Sequence, residues 1–89
     1  MTRNHRAAFN QLKKLGCPVF TRSDDEHKTF HISAEQAGPD GNLWADYYDG
    51  PSMPSIYDGF GVDKRVEEGL KPLGLFAEWE NPGSLSVWS

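Results

Sequence analysis

Apolar residues first recur at a helical period. Ala8, Phe9, Leu12 and Leu15 fall at i, i+1, i+4 and i+7, one stripe of a helix. Thr2 or Asn4 suits its N-cap, Gly16 a left-handed residue past its end, and Pro18 bars its resumption. The pattern predicts a helix over residues 3–15. It then changes to period two. Residues 19–22 read as a short strand and 28–34 as an alternating one, with Phe30, Ile32 and Ala34 on one side and Thr29, His31 and Ser33 on the other. The polar link Ser23-Asp24-Asp25-Glu26-His27 makes them a hairpin.

Gly38-Pro39-Asp40-Gly41 is a turn signal, after which residues 43–48 alternate again and predict a third strand. Residues 49–61 are irregular and rich in Pro and Gly, yet they carry Met53, Ile56, Tyr57 and Phe60, which should pack down. Asp63 caps a second helix with Val66 and Leu70 inward; Pro72 and Gly74 stop it. Two final strands, 75–80 and 84–88, flank the turn Asn81-Pro82-Gly83. The predicted order is α-β-β-β-α-β-β. Every strand-to-strand link is short enough for antiparallel pairing. The expected fold class is α+β, an antiparallel sheet of four or five strands with two helices packed on one face. The 89 residues make a single domain over 1–89.

Alternation also assigns the sheet faces. Phe30, Ile32, Leu43, Ala45, Tyr47, Leu75, Ala77, Trp79, Leu85 and Val87 should lie under the helices. Thr29, His31, Trp44, Asp46, Tyr48, Phe76, Glu78, Glu80 and Trp88 should lie opposite. This second face interleaves carboxylates with large aromatics, a composition that suits a basic protein partner. The candidate contact residues are therefore Trp44, Asp46, Tyr48, Phe76, Glu78 and Glu80. Two alternatives stand beside that reading: loop 49–61 folds over the face, or the aromatics are there because aromatics favour strands. Glu78 and Glu80, at i and i+2, would sit about 6.5–7 Å apart, close to the phosphate spacing of a nucleic-acid strand.

Charge sharpens the picture. The net charge is −4, but residues 1–22 hold five cations and no acid, and residues 23–89 hold 13 carboxylates against four cations. A surface this acidic repels nucleic acid and attracts basic surfaces, so direct nucleic-acid binding is not expected. The basic helix either touches phosphate or merely solvates its own outer face. Asp24, Asp25 and Glu26 form a second acidic candidate surface, or simply a solvated turn.

Catalytic chemistry is poorly represented. His27 and His31 lack the spacing of a defined metal site. Cys17 follows a helix C-terminus, which does not activate a thiol. Gly59-Phe60-Gly61 lacks the strand and helix that a dinucleotide loop needs. No enzyme, metal or cofactor is expected. One cysteine excludes an internal disulfide and fits a reducing, cytoplasmic setting. No apolar run approaches the ~20 residues of a membrane span, and the first residues hold no apolar leader core. The protein is expected to be monomeric.

Residues 60–63 and the run Gly74-Leu75-Phe76-Ala77-Glu78-Trp79-Glu80-Asn81-Pro82-Gly83, with Trp44-Ala45-Asp46-Tyr47-Tyr48 before them, resemble small proteins of phages and plasmids. In size, acidity and lack of catalytic motifs the whole chain resembles anti-CRISPR inhibitors. That resemblance implies a stoichiometric binder of a type I CRISPR surveillance complex, one that blocks target DNA binding by acidic DNA mimicry. The alternative is an accessory protein-interaction or ligand-binding domain of a mobile element.

Overall fold

A computed structural model describes residues 1–23, 29–39 and 41–89. Helix α1 spans Arg3–Lys14. Thr2 caps it, its hydroxyl accepting from the His5 N–H at 3.1 Å. The same hydroxyl lies 2.6 Å from His5 Nδ1, so it donates there and leaves Nε2 to donate to the Val87 carbonyl at 3.3 Å. One capping residue thus orients a buried histidine that ties the helix to the last strand. Leu15 is the C-cap, and Gly16 follows at φ +89°.

Four strands form one antiparallel sheet: β1 (Val19–Phe20), β2 (His31–Ser33), β3 (Phe76–Asn81) and β4 (Ser84–Trp88), in the spatial order β1-β2-β4-β3. Helix α2 (Lys64–Leu70) begins at Asp63, whose carboxylate accepts from the Arg65 N–H at 2.9 Å. A single 3-10 turn over 71–73 carries Pro72, and Gly74 ends it at φ +72°. The two helices meet where α2 has no side chain: a Cβ on Gly69 would lie 3.4 Å from Leu12 Cδ2.

The core is a continuous cluster of Ala8 and Leu12 from α1, Val66 and Leu70 from α2, and Phe30, Ile32, Leu75, Leu85 and Val87 from the sheet side. Burial of each large aliphatic there stabilises by about 1.5–3 kcal/mol. The α+β class with helices on one sheet face is as expected. Among the described residues no helix is long and apolar enough to cross a membrane.

The third strand over 43–48 does not form. Among the described residues, Leu43 and Ala45 make only isolated bridges, to Ala37 and Val62, and do not join the sheet. This segment instead pairs with residues 61–63. The Asp46 N–H donates to the Gly61 carbonyl at 2.7 Å, and the Asp63 N–H to the Trp44 carbonyl at 2.8 Å. Gly61 allows this approach: its φ is +83°, and a Cβ there would fall 2.2 Å from the Asp46 carbonyl oxygen. The chain order is therefore α-β-β-α-β-β.

Candidate functional site

Register fixes which side chains share the sheet face away from the helices. Phe20, His31, Ser86 and Glu78 stand opposite one another across β1, β2, β4 and β3 in turn. Phe76 faces Trp88 one step along. Ala77 and Trp79 point the other way, toward the core. The two-sided assignment thus places Phe76, Glu78 and Glu80 together on the side away from the helices.

A polar cluster occupies the middle of that face. A register shift between Trp79 and Asn81 sets Glu80 in a bulge, from which its carboxylate reaches back over β4. Glu80 Oε1 lies 2.7 Å from His31 Nδ1 and accepts from the Ser86 hydroxyl. Its Oε2 takes Arg22 Nη1 at 2.8 Å. The Phe20 ring lies against the His31 ring, centroids 5.4 Å apart, and the Arg22 guanidinium lies 5.4 Å from the Phe20 centroid. Ser86, His31 and Glu80 resemble a catalytic triad by type but not by geometry. Serine and carboxylate share the same ring nitrogen, Nδ1, whereas proton relay needs one on each nitrogen. The Ser86 proton goes to the carboxylate, so the hydroxyl is not activated by the ring.

Three of the expected contact residues, Trp44, Asp46 and Tyr48, lie off the sheet. Trp44 is 0% exposed, so it is a core residue and not part of any interface. The Arg65 guanidinium sits 4.0 Å from its ring centroid, and its Nε1 faces Gly38, where a Cβ would fall 2.2 Å away. Asp46 caps a turn off the sheet: its Oδ1 accepts from the N–H groups of Tyr48 at 3.2 Å and Asp49 at 3.0 Å. Asp46 thereby positions Tyr48, which is 76% exposed. Asp24, Asp25, Glu26 and His27 lie outside the described residues.

The edge strand gathers the rest. Phe76 is 51% exposed and Glu78 is exposed, with no ion pair among the described residues. On the core side of the same strand, the Trp79 indole donates to the Phe60 carbonyl at 2.9 Å and takes the Tyr47 ring edge-on at 5.2 Å. That hydrogen bond docks loop 49–61 beside β3 on the helix side, so the loop flanks the aromatics and leaves Phe76 and Glu78 open. Of the loop residues expected to pack down, Tyr57 does, but Met53 and Phe60 are exposed. The signal for Phe60 lies in Asp58-Gly59-Phe60-Gly61: Asp58 Oδ1 accepts from the Phe60 and Val62 N–H groups, and the turn holds the phenyl ring 76% exposed.

Between loop 58–62, α2 and β3 runs a groove of about 640 Å³, walled by Phe60, Val66, Leu70, Leu75 and Phe76 with Glu67 and Glu78 among its charged residues. Cys17 takes no part. Burial, and secondarily the nearby Asp63 carboxylate, push its thiol up to about 12 against a smaller opposing pull from Arg65, so it stays protonated and unreactive. Comparison of the chain with family models, with curated proteins and with solved structures finds no match.

Proposed function

We propose that this chain is a non-catalytic protein-binding module that occupies a basic surface on its partner, with β3 as the contact element. The observation that carries the reading is the edge strand itself. It displays Phe76 and Glu78 side by side, exposed, with Phe60 across the groove on the neighbouring loop. Aromatic anchors give contact area, and carboxylates beside them select Lys and Arg. The protonated Cys17 thiol and the Ser86 hydroxyl held by the Glu80 carboxylate favour binding over catalysis.

The target class follows from the resemblance to anti-CRISPR inhibitors. A partner that normally holds DNA presents Lys and Arg, and an acidic module competes for them. The mimicry then rests on Glu78 and Glu67, both exposed at the groove, because Glu80 and Asp46 are committed to internal contacts. The test is binding of the protein to purified type I surveillance complexes, followed by DNA gel shift. The expected result is loss of the DNA shift at about one protein per complex, with no shift of DNA by the protein alone. Retention of the shift across the panel would remove this target. A shift of DNA by the protein alone would remove the acidic-binder reading. The groove favours a second reading, an accessory domain that holds an apolar segment.

A further inference from the structure

Five consecutive residues of one strand region, Leu75 through Trp79, line the groove. Successive strand side chains point to opposite faces, so a groove lined by consecutive residues runs along the backbone edge and not over one face. Among the described residues that edge is unfilled: β3 is the terminal strand of the sheet, and its backbone hydrogen-bonds only to β4. An unpaired strand edge is a template for another strand.

We infer that the groove and the β3 edge together take an extended segment of a partner protein in which apolar and basic residues alternate. The inference deepens the proposed function and rests on it for the sign of the partner's charge. An added strand has two faces. Its residues on the groove side meet Phe60, Leu70 and Leu75, which calls for aliphatic side chains. Its residues on the open side stand beside Glu78, which calls for Lys or Arg, because opposite charges across strands attract and like charges repel. Glu67 at the helix rim adds a second carboxylate; Lys71 is the one cation among the described lining residues. The same charge pattern disfavours a second copy of this chain. Pairing β3 with its own twin would bring the acids of both edges together, on molecules that each carry −4.

The probe is a capped ten-residue peptide alternating valine and lysine, titrated into the isotope-labelled full chain. Two analogues, N-methylated on alternate residues in each of the two phases, remove the backbone donors while keeping every side chain. The expected result is saturable binding with slowed amide exchange in β3, a loss of about tenfold or more for at least one analogue, and weaker binding of the unmodified peptide to Glu78→Lys. Absence of binding would overturn the inference. So would equal affinity for all three peptides, even if Glu78→Lys and salt still weaken them; in that case contact with a basic surface survives and strand addition does not. Concentration-dependent dimers that the peptide dissociates would assign the edge to a second copy and overturn it as well. Phe60→Ala, a change at an exposed side chain that leaves the fold intact, should weaken the peptide severalfold while the melting temperature holds.

Discussion

Arg22 and Glu80, fifty-eight residues apart along the chain, meet with Nη1 2.8 Å from Oε2. The contact closes the polar cluster of His31 and Ser86 and offsets the Glu80 charge. Glu78, two residues earlier on the same strand, has no such partner among the described residues. Two carboxylates that look equivalent by spacing therefore differ in the field they send outward.

The first prediction separates them. Glu78→Gln should slow association with a basic partner by roughly two- to fivefold at low salt, and Glu80→Gln by much less. Stopped-flow or surface association rates check this. Equal effects would mean that the ion pair does not shield Glu80. Arg22→Ala should cost about 1 kcal/mol or less, since its side chain is well exposed.

Gly61 and Gly74 supply the second prediction. Both have positive φ, +83° and +72°, but only at Gly61 would a Cβ meet backbone, 2.2 Å from the Asp46 carbonyl oxygen. Gly74→Ala should cost about 1 kcal/mol, the ordinary strain of a left-handed non-glycine residue. Gly61→Ala should cost more, about 2–3 kcal/mol, because it also breaks the pairing of residues 44–46 with 61–63. Urea unfolding of the two variants gives the difference directly.

That pairing also marks where the sequence stops being readable. Caps and stops are local, and Thr2, Asp63, Gly16 and Gly74 act where their residue types suggest. The hairpin around Pro82-Gly83 and the face assignment of β3 and β4 follow from alternation alone. Residues 43–48 have the same alternation, but their partner is the loop made approachable by Gly61, a tertiary fact with no local signature. Once the segment left the sheet, Trp44 lost its expected face and Asp46 became a turn cap. Phe76 and Glu78 are exposed on β3; Tyr48 is exposed too, but on a loop and not on the sheet face where alternation put it. The silencing of Glu80 by Arg22 joins positions that no local pattern connects.

Trp44 gives the third prediction. Its ring is fully buried beneath Arg65, so Trp44→Ala should destabilise the fold by about 3–5 kcal/mol and not act on dissociation from a partner. Leu70→Ala, also in the core, should cost about 2–4 kcal/mol. A Trp44→Ala variant with wild-type stability would place this side chain outside the core.

Cys17 gives the fourth. Its folded thiol titrates near 12 against an ordinary value of 9.0. Below about pH 9 both folded and unfolded chains keep the proton, and this group makes stability independent of pH. From pH 9 toward 12 only the unfolded chain loses it, so the stability contribution falls, by up to about 1.4 kcal/mol per pH unit. The urea midpoint of wild type should therefore drop more between pH 8 and pH 10 than that of Cys17→Ser. At pH 8, iodoacetamide should label the thiol only after denaturant is added.

The edge strand is tested most directly by the double variant Phe76→Ala/Glu78→Lys. Both side chains are exposed, so the melting temperature should stay within a few degrees of wild type. Equilibrium affinity for a purified type I surveillance complex, or for the alternating valine–lysine peptide, should be measured at 0.15 M salt. Binding through β3 to a basic partner predicts a loss of about tenfold or more in both. Wild-type affinity of the double variant for a partner that the wild-type protein binds would contradict it.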